Sequence, residues 1–268
     1  MSTAGRAAAQ TPSVSGFRAF LKKEFLETRR TWRLWVLPGI MVIFLGLGTP
    51  ALTAVTPALL RATEQSQPGV VIRLPNPTSR DSYVQFMGNL DQVALLAIII
   101  AGAAVVASER RAGTIVLVLA KPLSRTGFIV AKAVSQLALL VAATALGTLV
   151  CILVTTIIFD GRHIVAFIAS VALWLALAAM FTLLMLLLSA AMKGQAPAAG
   201  VGIGVYVSLF VLTGFPVIRD HSPAGILAAS DALLRGRDVA LAWPVATTLA
   251  LAGGFLYAAV RVFARREL

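Results

Sequence analysis

Residues 108–132, SERRAGTIVLVLAKPLSRTGFIVAK, carry the side chains best suited to engage another molecule. Glu109, Arg110 and Arg111 form a charged cluster directly after an uncharged run. Gly113-Thr114, an apolar stretch over 115–120 and Lys121-Pro122-Leu123-Ser124-Arg125 follow. The chemistry on offer is recognition, not bond-making: both signs of charge beside a short apolar surface. As a mere orientation signal the bases would need no further role, but that leaves an apolar stretch unexplained in an aqueous loop. The segment reads as a docking element on the cytoplasmic face of a membrane protein.

Nothing else in the chain supplies a catalytic constellation. There is no GxxxxGK[ST] phosphate loop, no HExxH, no CxxC and no GxSxG. A lone cysteine, Cys151, sits in an apolar run and permits no disulfide within the chain. His163 and His221 fall in different loops without a partner at ligand spacing, so no metal is expected. Asp91 and Lys132 lie near the ends of apolar segments, where interfacial placement or snorkelling accounts for them. The centres of the apolar segments lack the ionisable groups that proton relays and ion-coupled carriers place there. Gly200 and Gly204 form a GxxxG suited to close helix contact.

These residues must be positioned by membrane-spanning elements. The chain of 268 residues is 59% hydrophobic and 13% charged, with a mean hydropathy of +0.89. A soluble domain carries about 25% charged residues. Roughly 20 apolar residues in a helix cross a hydrocarbon core of about 30 Å. Six segments meet that length, over residues 34–52, 90–107, 133–159, 164–192, 196–218 and 239–260. The first could run on to Leu60, with Pro50 and Pro57 making its exit irregular. The expected fold is therefore an all-α integral membrane protein of six transmembrane helices, occupying 34–268.

Charge fixes the expected orientation. The termini, the 108–132 segment and the turn at Lys193 together hold sixteen Lys and Arg against four acids. The opposite loops hold seven of each, so the whole net charge of +12 falls on one face. By the positive-inside rule that face and both termini are cytoplasmic, and nucleic acid is not needed to explain the charge. Residues 1–15 read as a disordered cytoplasmic tail. Over 16–33, Phe17, Phe20, Leu21, Phe25 and Trp32 share one helical face with bases largely on the others, the pattern of an amphipathic interfacial helix resting on membrane lipid. The segments 61–89 and 219–238 are external and longer than turns.

The pattern Glu109-x-x-x-Gly113-Thr114, then Pro122-x-Ser124-Arg125, then Lys132 resembles that of the ABC type-2 permease family, the membrane subunits of ABC exporters. An interfacial helix, six spans and internal termini agree with it over nearly the whole length. The resemblance implies two permease subunits, a second copy or a paralogue completing a dimer, docked on cytoplasmic ABC ATPase subunits. The coupling loop would be 108–127, with Glu109, Arg110, Arg111, Gly113, Thr114, Pro122, Ser124 and Arg125 as contact or shaping residues. ATP and Mg would be held by the partner, with no cofactor and no catalysis in this chain. The location implied is a bacterial plasma (inner) membrane, multi-pass. Two other classes remain open: a partner-free channel or secondary transporter, and a non-transporting assembly or immunity factor.

Overall fold

The computed structural model describes residues 33–64, 76–111, 125–237 and 239–265. Among them six helices are long and apolar enough to cross a membrane. They are α1 (Trp35–Leu60), α2 (Ser79–Glu109), α3 (Arg125–Ile158), α4 (Ile164–Ala191), α5 (Gln195–Leu212) and α8 (Ala242–Arg265). Two short helices, α6 (Pro216–His221) and α7 (Ala224–Leu234), precede the last span. No strand occurs among the described residues. The all-α, six-span class expected from the sequence is the class observed. The 1–15 tail and the interfacial residues Phe17, Phe20, Leu21, Phe25 and Trp32 lie outside the described residues.

Helices are dictated by the solvent, because a spanning segment must satisfy its amides within itself. Several boundaries differ from those the hydropathy suggests, among them the start of the third span, at Arg125 and not near residue 133. The second span begins at Ser79 and not near residue 90. Asp81 starts it with a capping box, its carboxylate accepting from the Thr78 amide at 2.9 Å and the Thr78 hydroxyl at 2.8 Å. Tyr83, Phe86 and Met87 then recur at helical spacing and are buried, so the last part of the expected external segment 61–89 is span. The fifth span stops at Leu212, short of residue 218. Pro216 opens α6 there, and Phe215 before it is extended (φ −110, ψ 102).

In α1 the prolines do not end the helix. A π-helical stretch over Ile40–Leu47 is followed by regular helix from Gly48 to Glu64, running through Pro50 and Pro57. Within a membrane bundle such local adjustments absorb the proline's missing donor.

The bundle is organised around α4. Of its apolar window 56% is buried, against 17% for α5 and for α8, which leaves much of those two helices on the outside. Helix α4 packs against α2, α3, α5, α7 and α8. Phe167 near its start stacks on Tyr83 (centroids 4.2 Å apart) and meets Phe86 edge-on at 5.3 Å. Trp174 and Phe181 are fully buried further along.

Small residues set the closest approaches. A Cβ added to Gly147 of α3 would lie 2.6 Å from the Met41 carbonyl oxygen, and one on Gly46 of α1 would lie 2.8 Å from the Gly147 carbonyl oxygen. The backbones of α1 and α3 therefore nearly touch, as small residues permit in lipid. Met185 of α4 is wedged between Gly102 of α2 and Gly202 of α5, where added Cβ atoms would meet its side chain at 2.6 and 2.5 Å. Gly200 and Gly204, the GxxxG pair, have nothing within 4 Å of their Cβ positions and are exposed. Within the chain it is Gly202, between them, that packs.

Candidate coupling site at the base of the 112–124 segment

Helix α2 ends in a broken turn. Residues 104–106 leave the helix before Ala107–Arg111 resume it, which strands backbone groups in the protein interior. Ser189 of α4 satisfies three of them. Its Oγ accepts from the Val106 amide at 2.9 Å and the Ala107 amide at 3.1 Å, and donates to the Ala103 carbonyl at 2.9 Å. One donor and two lone pairs are the full capacity of a hydroxyl. Ser189 is wholly buried, and it ties the break in α2 to the central helix.

Just beyond the break stands Glu109. Its carboxylate lies 2.6 Å from Lys132 Nζ, two turns into α3, with side-chain exposures of 23% and 4%. The lysine is not snorkelling: it is held inside, its ammonium 5.0 Å from the Phe128 ring centroid. Phe128 in turn stacks on Phe263 of α8, centroids 5.1 Å apart and planes 10° from parallel. At the first residue of α3, Arg125 Nη1 donates to the Ala264 carbonyl at 3.1 Å. That carbonyl belongs to the last turn of α8, where basic side chains are favoured. Arg111, exposed, reaches Gln195 at the start of α5 at 3.4 Å.

The two ends of the 112–124 segment are thus joined. Residues on either side of it meet each other and grip α4, α5 and α8. These contacts tie α2, α3 and α8 to one another at the base of the segment. Of the expected docking residues, Glu109 turns inward to Lys132, Arg111 faces out and Arg125 grips α8. Gly113, Thr114, Pro122 and Ser124 lie outside the described residues, as does the Arg110 side chain.

Sequence reasoning placed Glu109 and Lys132 in one motif without pairing them, and it passed over Ser189 entirely. A hydroxyl inside the uncharged LLLSAAM run was the available signal, since a polar atom at that depth needs partners. Asp91 also differs from expectation. It sits near the far end of the membrane-spanning part of α2, but its Oδ1 is buried and has no hydrogen-bond partner among the described residues. The carboxylate turns toward the protein and not to water, with Tyr206 of α5 in electrostatic range.

No curated protein matches the chain. A family model described as ABC-2 family transporter protein matches residues 18–219. That interval takes in the first five spans and both ends of the 112–124 segment, and the six apolar helices make the protein a multi-pass membrane protein. The chain belongs to the ABC-2 family of transporter proteins, as a membrane-spanning permease subunit.

Proposed function

We propose that this permease subunit serves an ATP-driven exporter, and that the 108–127 loop couples it to a separate cytoplasmic ABC ATPase. The observation that carries this reading is the Glu109–Lys132 pair, which closes the base of the loop at 2.6 Å. In this reading the face bearing Glu109 and both termini are cytoplasmic, in agreement with the charge asymmetry. The ATPase subunits bind Mg and ATP and close on each other. The loop, seated on them, is displaced, and its clamped base passes the motion to α2, α3 and α8 as one body. Ser189 carries it on to α4. The poorly buried outer faces of α5 and α8 suit contact with a second permease copy or paralogue, which completes the path.

The test is co-expression with the ATPase encoded nearest its gene and purification through a tag on the permease. Stoichiometric recovery of the ATPase with ATP hydrolysis supports the reading. A stable chain that recovers no ATPase, yet conducts substrate or ions by itself in vesicles, moves the assignment to a channel or secondary carrier. An associated ATPase with no movement of any substrate leaves the assembly or immunity role.

A further inference from the structure

Between α1 and the first half of α2 lies a cleft of about 370 Å3, within the usual size of small-molecule sites. Its lining changes character along its length. Phe44, Leu45 and Val93 line one part; Thr53, Thr56, Gln85 and Asn89 line the other, with Leu52 beside Thr53. At 1.5 Å per residue, Val93 lies about 24 Å along α2 from Glu109 and Gln85 about 36 Å. A hydrocarbon core is about 30 Å thick, so the polar end sits at the headgroup level of the leaflet remote from Glu109. The apolar end sits among acyl chains, and Phe44 is 73% exposed toward them.

Among the described residues the polar end offers both donors and acceptors but no charge. Asn89 Nδ2 donates to the Thr49 hydroxyl at 3.0 Å, leaving its carbonyl oxygen and second N–H. The Gln85 amide has no hydrogen bond within the described structure, and its side chain is exposed to the cleft. The hydroxyls of Thr53 and Thr56 donate to their own helix, at Thr49 and Leu52 carbonyls, and keep lone pairs free. Among the described residues no ionised side chain lines the cleft, so a phosphate or an ammonium brought there would be desolvated without a counter-charge from them. A hydroxyl both donates and accepts, and matches this set.

We infer that the cleft binds an amphiphile whose uncharged, hydroxyl-bearing headgroup hydrogen-bonds Gln85 and Asn89 while its acyl chain lies along Phe44 and Val93. The inference deepens the permease reading and rests on it only in treating this molecule as cargo taken from, or released to, the outer leaflet.

The full-length chain is reconstituted in phosphatidylcholine nanodiscs containing monoglucosyl diacylglycerol or, separately, phosphatidic acid with the same acyl chains. Lipid retained after transfer to detergent is quantified by mass. The glucosyl lipid is retained preferentially, and Gln85→Leu lowers its retention by about threefold to tenfold, the worth of one hydrogen bond. Thr53→Val, which leaves the Asn89–Thr49 bond intact, lowers it in the same direction and guards against a misfolded variant. Excess free glucose leaves the retained lipid in place. Equal retention of the two lipids, retention of neither, indifference to both variants, or displacement by free glucose overturns the inference. Failure here with ATP hydrolysis still coupled sinks the lipid site alone. Lost coupling with lipid selectivity intact sinks the exporter mechanism alone.

Discussion

Lys132 Nζ lies 2.6 Å from the Glu109 carboxylate, joining the helix that enters the 112–124 segment to the helix that leaves it. A pair this deeply placed is not chiefly a source of stability, because desolvation offsets much of the attraction. What it supplies is registration: the two helices have one relative position in which both charges are matched, and that position also seats Phe128 against Phe263.

Breaking one side of the pair is therefore costly. Lys132→Met removes the ammonium matched to the partly buried Glu109 carboxylate, and is expected to destabilise the protein by about 3–5 kcal/mol. The double variant Glu109→Gln with Lys132→Met recovers most of that, since two apolar or neutral groups need no counter-charge. Thermal unfolding of the four proteins in one detergent, read as a double-mutant cycle, gives the coupling energy. Additive effects of the two single changes would contradict the clamp.

Ser189→Ala deletes three hydrogen bonds at once, stranding the Val106 and Ala107 amides and the Ala103 carbonyl. The expected loss is about 1–3 kcal/mol for each buried group left unpaired, less whatever local relaxation recovers. Hydrogen exchange at the amides of Val106 and Ala107 is the specific check. Protection unchanged from the parent chain would show that the break in α2 is satisfied some other way.

Most of this architecture was legible in the sequence, and the reasons for the gaps are physical. Hydropathy finds spans because hydrocarbon selects for uncharged length, so α1, α3, α4 and α8 fell where the apolar runs lie. It failed at Ser79, because Asp81, Gln85 and Asn89 lower the average while Tyr83, Phe86 and Met87 carry the packing. Spacing also did not single out the glycine that packs within the described chain. GxxxG spacing describes one face of an isolated helix, whereas Gly202 is buried because of where Met185 of α4 points, which no local pattern encodes. The Glu109–Lys132 pair was half visible: both residues were singled out, but the turn of the chain that brings them together is tertiary.

The two kinds of glycine can be separated by experiment. Gly147→Leu forces a side chain into the Met41 backbone and is expected to abolish well-folded protein, seen as loss of a monodisperse peak in size-exclusion chromatography. A Cβ at Gly200 meets none of the described residues, and Gly200→Leu is expected to leave the subunit folded. If Gly200→Leu unfolds the subunit itself, the outward placement of the GxxxG face is wrong. If it only abolishes pairing of two permease copies, that face is the contact between them.

Coupling requires force to pass from an ATPase through the clamped loop, which ATP hydrolysis by the co-purified complex probes by setting the parent against the Glu109→Gln, Lys132→Met double variant. The double variant is expected to keep its fold and its stoichiometric ATPase, yet lose roughly tenfold in permease-dependent stimulation, about 1.4 kcal/mol of coupling free energy. Full stimulation in a folded, ATPase-bound double variant would contradict it.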